Sequence, residues 1–254
     1  MKEKISNIIK EYISDYSQRN NLTSSFRDVV IKFAAADDPI FKELKTAVGK
    51  EHVLPQDLLE DAETVITYFV PLSKEIVDSN IEGRMSSKKW AKAYLDLNQL
   101  INKLDKHIKN ELEKLNYKTV TIPTRIDFDK ESLKNYWSHR HAAYAAGLGK
   151  FGLNNMLITE MGCCGRFAAL ITNLKIEASL RKDKEYCLYK AGENCIKCVE
   201  KCVNGALKVD DFDGHKCYEM LIYNDIYHSD LLKSTEVCGK CCVGLPCSLT
   251  DPVK

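Results

Sequence analysis

The chain has 254 residues, of which 44% are hydrophobic and 29% are charged, and its net charge is +1. This mixture is typical of a globular protein with one large domain and a small one, and it excludes a disordered chain. A net charge near zero gives no sign of the strongly basic surface that binds nucleic acid or anionic lipid. No apolar run reaches the roughly eighteen residues of a membrane-spanning helix and the N-terminus carries no export signal, so we expect a cytoplasmic protein with no membrane partner.

The first part of the sequence alternates helical and strand patterns. Apolar residues at helical spacing predict a helix over residues 3–17, and a short apolar run predicts a strand over 29–33. A second helix begins at the Asp-Pro pair of residues 38–39 and ends at Gly49. Residues 65–70 are continuously apolar or β-favouring, which predicts a buried strand.

One long amphipathic helix is predicted from Ser87 to Leu115, where apolar residues keep a helical period. Three further elements, a strand, a helix and a strand, are predicted over residues 118–122, 133–146 and 167–174. The pattern predicts an α+β fold, with an α/β layered domain over residues 1–180 and a ferredoxin-like double [4Fe–4S] module over residues 181–254. The second segment is poor in apolar periodicity, so we expect metal to hold it together.

Cysteine is confined to the C-terminal part of the chain. The first of the eleven cysteines is Cys163, and nine of them lie between Cys187 and Cys247. Because the cytoplasm keeps thiols reduced, we interpret them as metal ligands or catalytic groups before disulfides. The clustering marks a module with its own chemistry.

The spacing of the cysteines predicts two iron–sulfur clusters. Cys195, Cys198 and Cys202 have the C-x2-C-x3-C spacing of the last three positions of a ferredoxin ligand run, and Cys187 supplies the first from a longer loop. In two-cluster ferredoxins the fourth cysteine of each run ligates the other cluster. The first quartet is therefore Cys187, Cys195, Cys198 and Cys247. The second quartet is Cys202, Cys217, Cys238 and Cys241, with Cys242 as the alternative to its neighbour Cys241.

Other interpretations of the cysteines remain open. Two zinc sites could form around the two C-x2-C pairs, since zinc also prefers tetrahedral thiolates, and disulfides are a third option. A third and fourth cysteine in each group favour clusters over zinc. Cys163 and Cys164 stand apart between glycines, where they are either small buried thiols that fill a tight turn or a solvent-facing redox or ligand site.

A glycine-rich stretch follows the predicted helix that ends at residue 146. Gly147, Gly149 and Gly152 satisfy the G-x-G-x-x-G pattern, but a dinucleotide-binding turn needs a strand before it and a helix after it. A helix-like stretch precedes this one, so Gly147 is predicted to cap that helix, and the glycines could let backbone approach a large flat ligand. The three ionisable residues upstream, His139, Arg140 and His141, are candidates for a wall that faces a ligand.

With these motifs in place, the chain resembles the epoxyqueuosine reductase family, relatives of the cobalamin-dependent reductive dehalogenases. The matching stretch runs from Arg140 through the glycines to Asn154 and Asn155. It is followed by the strand at 167–174 and by the C-x2-C-x3-C run with its V-N-G-A-L continuation. The resemblance covers about residues 50–250.

The resemblance implies cobalamin as a cofactor beside two [4Fe–4S] clusters, which pass electrons to its cobalt. It would place the corrinoid over the cofactor-binding residues Arg140, Gly147, Gly149, Gly152, Asn154 and Asn155. The family's catalytic aspartate aligns with Asp96, in an Asp-Leu-Asn stretch where the family has Asp-Tyr-His. On its charged helix, Asp96 equally fits a surface residue. The other candidate catalytic residues are His139, Arg140 and His141.

The sequence therefore predicts an iron–sulfur oxidoreductase of the epoxyqueuosine reductase type. It would take electrons from a redox partner protein and pass them to a small-molecule substrate or cofactor. The sequence stops soon after its last cysteine, without the helical-repeat extension that family members use on tRNA, so a tRNA substrate is not favoured. The rival interpretation is a ferredoxin-like electron carrier, which needs an exposed cluster but no cavity with an ionisable group.

Overall fold

The computed structural model of the chain describes residues 1–19, 24–123 and 129–253. Helices and strands in this part of the chain follow the order α1 (Lys2–Arg19), β1 (Val30–Ala35), α2 (Ile40–Ala47), α3 (Pro55–Leu58), β2 (Thr64–Pro71), α4 (Lys74–Ser79), α5 (Lys88–Glu113), β3 (Thr119–Thr121), α6 (His139–Ala145), β4 (Gly149–Phe151), β5 (Leu157–Thr159), β6 (Gly165–Thr172), α7 (Lys197–Glu200) and α8 (Gly214–Tyr227). A 3-10 turn over Ser229–Leu231 follows α8.

The main sheet has four strands in the order β1-β2-β6-β3, and every neighbouring pair is antiparallel. β4 and β5 form a separate antiparallel hairpin. An antiparallel sheet combined with helices makes the fold α+β, as the sequence predicts. All eight residues of β2 are buried, because helices cover both faces of the sheet.

The two faces of the sheet are filled by alternate residues of the same strands. Ile66, Tyr68 and Val70 of β2 join a buried cluster with apolar residues of α1 and α5. Val65 points to the other face and packs with Ala142 of α6. This alternation follows from the two-residue side-chain period of a strand.

The long helix α5 confirms the amphipathic prediction. Its N-cap residue is Ser87, whose hydroxyl accepts a hydrogen bond from the Trp90 amide at 3.1 Å. Its apolar stripe is buried against α1, α4, β3 and β6, while its lysines face outward. Within the described residues, no helix is both long enough and apolar enough to cross a membrane.

The segment after β6 is attached to the sheet at several points. Cys242 and Val243 belong to the same buried cluster as the α5 stripe. The Arg27 side chain donates hydrogen bonds to the carbonyls of Leu72, Met161 and Leu249, at 2.9, 2.6 and 2.8 Å. The C-terminal segment is thereby fixed to the end of β2.

The structure differs from the sequence-based elements at two longer helices, and it adds the short helices α3, α4 and α7 and the β4–β5 hairpin, which were not predicted. The helix predicted over 133–146 begins only at His139, because Leu133 has a left-handed backbone (φ +56°) and Ser138 is the N-cap. α8 was not predicted, because only Met220 and Asn224 of its residues are buried and its apolar stripe is weak. The other predicted strands and helices of residues 3–122 and 167–174 lie where expected to within about two residues.

Candidate metal centre

The first quartet lines a small cavity of about 20 Å³. Cys198 lies on α7, and a turn in which the Ala191 amide donates to the Cys187 carbonyl at 2.8 Å brings Cys187 to the same place. Burial, followed by repulsion from neighbouring cysteines, raises the pKa of Cys198 to about 12. The four thiols that the spacing grouped are thus brought together by the fold.

The second quartet lines a larger cavity of about 270 Å³. Cys202 follows α7, Cys217 lies in the first turns of α8, and the other two cysteines lie in the loop after the 3-10 turn. Burial is the main cause of the raised pKa of both thiols. The pKa is about 12 for Cys217 and about 11 for Cys238. Metal binding must therefore displace thiol protons.

The donor chemistry of both cavities fits iron–sulfur clusters. Each quartet consists of thiols alone, and thiolates are the ligands that hold cuboidal clusters. Among the described residues, no group of three or more His, Cys, Asp or Glu side chains is arranged to hold a single metal ion. In both quartets the thiols surround a space instead of converging on one point.

The three cysteines outside the quartets are buried, and two of them, Cys163 and Cys242, also line the second cavity. Cys163 and Cys164 are each 1% exposed, which agrees with thiols that fill a tight turn and not with a solvent-facing site. The Cys164 thiol donates to the Cys242 carbonyl at 3.1 Å. Cys242 is 4% exposed, and its sulfur lies 3.9 Å from that of Cys241.

Helix α6 and the loop between β4 and β5 carry predicted cofactor-binding residues, and this loop reaches both quartets, with Asn154 on the first cavity and Met156 on the second. The Arg140 guanidinium donates to the Asn155 carbonyl at 2.8 Å. The Asn154 side chain donates to the Cys241 carbonyl at 2.9 Å. Burial lowers the pKa of Arg140, while Cys242, Cys217 and Cys241 oppose that shift. Arg140 is therefore the cation that α6 contributes to the second quartet.

The three glycines of the motif are explained by local backbone conformation and packing. Gly147 has φ +79°, and the amides of residues 147 and 148 donate to the carbonyls of Tyr144 and Ala143, which is the Schellman end of a helix. Helix α6 precedes the motif, strand β4 lies within it and no helix follows it directly, so the dinucleotide alternative is wrong. A Cβ at Gly149 would lie 1.9 Å from the Ile158 carbonyl oxygen, so this close approach is to the partner strand and not to a ligand. At Gly152 the nearest atom would be a side-chain carbon of Ile158, at 2.7 Å.

A cleft of about 330 Å³ lies beside the second quartet, and we call it the α6 cleft. Its lining residues are Asn135, Trp137, Ser138, His139, Arg140, Met156, Gly165, Arg166 and Phe167. Met156, Gly165 and Arg166 also line the cavity of the second quartet. The two spaces therefore share a wall.

Both predicted catalytic histidines are neutral near pH 7. The His139 Nε2 lies 3.1 Å from the Pro123 carbonyl, which makes Nε2 the protonated nitrogen. Burial is the main reason that the pKa values of His139 and His141 are both lowered to about 4. The His139 Nδ1 and the Trp137 Nε1 are buried without a hydrogen-bond partner.

Asp96 is not brought to either quartet. Its carboxylate accepts a hydrogen bond from the Ser24 hydroxyl at 2.6 Å, and it lines neither of the two cysteine cavities nor the α6 cleft. The stripe of α5 that does line the second cavity is Trp90, Tyr94 and Leu97. Helical spacing could have indicated this, since positions 90, 94 and 97 share a face that excludes 96.

Two lining residues escaped the sequence analysis. The Arg166 guanidinium lies over the Tyr94 ring, 4.8 Å from its centroid, where the cavity and the α6 cleft meet. Lys240 lines the second cavity and is 2% exposed. No sequence motif marks Arg166, whereas Lys240 could have been noticed from its place between two ligand cysteines.

Several solved structures share this fold. Epoxyqueuosine reductase from Streptococcus thermophilus matches 98% of this chain with a TM-score of 0.54 and 20% identity, over 68% of its own length. An epoxyqueuosine reductase with an epoxyqueuosine-modified tRNA stem loop matches 96% of this chain (TM-score 0.57, 17% identity), over 66% of its own length. A catabolic reductive dehalogenase in complex with 3-bromo-4-hydroxybenzoic acid matches 88% of this chain (TM-score 0.61, 12% identity), over 30% of its own length.

These likenesses concern structure and not sequence. No family sequence model matches the chain, and no curated protein matches it either. The chain spans 66–68% of the length of the reductases named above and 30% of that of the dehalogenase. The chain thus has the fold of epoxyqueuosine reductases and reductive dehalogenases, as its sequence motifs suggested.

Proposed function

We propose that the chain is an iron–sulfur oxidoreductase that passes electrons through two [4Fe–4S] clusters to a ligand in the α6 cleft. The observation that carries this proposal is the division of eight cysteines into two quartets, each lining its own cavity. Each cluster would supply a one-electron carrier. The shared wall between the second cavity and the α6 cleft supports electron delivery from the second quartet.

The cleft favours an enzyme over an electron carrier. A carrier needs only an exposed cluster, whereas here a cleft with Arg140, Arg166 and His139 adjoins the second quartet. The two arginines place positive charge beside it, which suits an anionic or electron-rich ligand. Neutral His139 holds its proton on Nε2 toward Pro123, so its Nδ1 is suited to accept a hydrogen bond.

A corrinoid is the cofactor that the resemblance implies, and the residues present fit one. The apolar side chains of Trp90, Leu97 and Met156 line the second cavity, and the α6 cleft adds polar groups beside it. Trp137 and His139 would hold the polar edge of such a ligand, since each has a buried ring nitrogen without a partner. When bound, a corrinoid would supply a metal centre that the second cluster can reduce.

The partners follow from this chemistry. Electrons would come from a redox partner protein, and the substrate would be a small molecule. A tRNA substrate is less favoured because the net charge of the chain is near zero, and phosphate backbones are bound mainly by clustered lysine and arginine.

The experiment that tests the proposal is spectroscopy on anaerobically reconstituted protein. We expect iron and labile sulfide for two [4Fe–4S] clusters, and two interacting cluster signals in the electron paramagnetic resonance (EPR) spectrum on stepwise reduction. Protein with zinc and no sulfide would contradict the proposal. Added cob(II)alamin should give a base-off cobalt signal, and a signal unchanged from free solution would remove the corrinoid and leave a cluster-only reductase or a carrier.

A further inference from the structure

Lys240 is a buried cation that the proposed electron path does not use. It lies between Cys238 and Cys241 of the second quartet, is 2% exposed, and lines their cavity. Lysine is almost never fully buried unless it is paired. Its position therefore needs a physical reason.

The ammonium group is fixed in place. Its Nζ donates hydrogen bonds to the backbone carbonyls of Asn80 and Glu82, both at 2.8 Å. The Asn80 side chain, itself fully buried, donates to the Cys238 carbonyl at 2.8 Å and accepts from the Ser87 amide at 2.8 Å. The charge is thus held by the loop between α4 and α5 and cannot swing into solvent.

No carboxylate among the described residues forms an ion pair with Lys240. Both of its hydrogen bonds go to neutral carbonyls, and the Glu82 side chain acts on it through charge alone. Burying a charge without an ion-pair partner is unfavourable. Apart from Glu82, and from Glu236 on the wall of the same cavity, the groups beside it that can carry negative charge are the cysteine thiols, so an anionic occupant of the second cavity would supply the missing partner.

The first quartet has a different electrostatic environment. Of the described residues that line its cavity, the one cation is Lys197, and that side chain is exposed. Solvent and salt screen an exposed charge far more than a buried one. The two quartets therefore differ in the positive charge that reaches their interiors.

We propose that Lys240 raises the reduction potential of the second cluster above that of the first. Reduction adds one electron and makes the cluster more negative, so a fixed cation beside it favours the reduced form. Electrons then run from the first cluster to the second and on to the α6 cleft. Lys240 acts on the second cluster through its fixed positive charge. This inference rests on the proposed function.

The test is a redox titration followed by EPR on reconstituted wild type, K240Q, K240M and K240R. Cys198→Ser and Cys202→Ser variants assign each signal to a quartet. We expect the second potential to fall in K240Q and K240M, to stay near wild type in K240R, and the first potential to change little. The matched control K197Q removes a lysine charge beside the first quartet and should shift either potential less than K240Q does.

The outcomes separate the inference from the function on which it rests. Wild-type protein without cluster signals would contradict the proposed function. Two clusters with the second potential unchanged in K240Q and K240M, or shifted equally by K197Q, would overturn the role of Lys240 alone. Loss of the second cluster in both neutral variants, with K240R loaded, would also overturn it, because the charge would then be needed for holding the cluster and not for its potential.

Discussion

The two cysteine quartets have the same donors but different surroundings. The first lines a cavity of about 20 Å³ whose lysine is exposed, whereas the second lines one of about 270 Å³ that reaches a polar cleft. Arg140 and Lys240 bring positive charge to the second quartet only. The difference teaches that equal sets of donors can have unequal surroundings, which under the proposed function would suit one quartet to receive electrons and the other to deliver them.

The largest expected effect comes from removing one ligand of one quartet. Cys202→Ser should abolish or convert the second cluster and leave the first, because Cys202 lines the second cavity although it is the last cysteine of the first ligand run. Cys198→Ser should do the reverse. Iron content and EPR measure both, and Cys164→Ala, at a cysteine that lines neither cavity, is the control. Equal loss of both clusters in Cys202→Ser would contradict the crossed ligation.

A second prediction concerns packing around the second quartet alone. A Cβ at Gly239 would lie 2.4 Å from the Trp90 ring, and the residue has φ +73°. We expect Gly239→Ala to destabilise the protein by about 2–4 kcal/mol, from overpacking and left-handed strain together, and to lower second-cluster occupancy. Gly205→Ala is the matched control, since φ there is +62° with no atom within 4 Å. Equal thermal midpoints for the two variants would show that contact with Trp90 costs nothing.

A third prediction concerns the stability of the core between β2 and α5, away from both quartets. Asp105 is buried and accepts a hydrogen bond from the Tyr68 hydroxyl at 2.6 Å, and burial raises its pKa from 3.8 to about 8. Between these pH values the unfolded chain holds fewer protons than the folded one, so stability falls as pH rises from about 4 to 8.

The variant Asp105→Asn should remove most of this fall. It should therefore be more stable than wild type at pH 8, by an amount on the order of a few kcal/mol, and close to it at pH 4. Thermal unfolding followed by circular dichroism at both pH values measures the effect. Cluster content should not change, and a pH profile identical to that of wild type would refute the assignment.

The smallest expected effect lies at the start of α6. Ser138 is the N-cap, with its hydroxyl 2.7 Å from the His141 Nδ1. Ser138→Ala should cost about 1 kcal/mol. If α6 positions Arg140 for the second quartet, the variant should also weaken ligand binding in the α6 cleft. Cob(II)alamin titration measures this binding. Ser87→Ala, which removes the N-cap of α5, is the control that shows whether the loss of any helix cap weakens binding equally.

The sequence was a good guide where a pattern is local. Cysteine spacing grouped the four thiols that line the first cavity and four of those that line the second, and their role as cluster ligands stays a prediction. The continuous apolar run of β2 predicted burial, and the period of α5 predicted its buried face. These features depend on short-range periodicity alone.

Features that depend on distant contacts could not be predicted in the same way. Arg166 and Tyr94 meet only because β6 packs near α5, and Asp96 aligned with a family motif although its carboxylate faces Ser24. α8 escaped notice because it buries only two residues. Strand order likewise follows from pairing across about one hundred residues, as between β2 and β6.

The order of elements along the chain has a consequence for biogenesis. All four strands of the main sheet are encoded before Asn173, whereas every residue of the two quartets comes after it. On the ribosome, chains fold from the N-terminal side first. The sheet can therefore form before any of the eight quartet thiols emerges, so under the proposed function iron and sulfide would be inserted against a preformed sheet onto which the last eighty residues close.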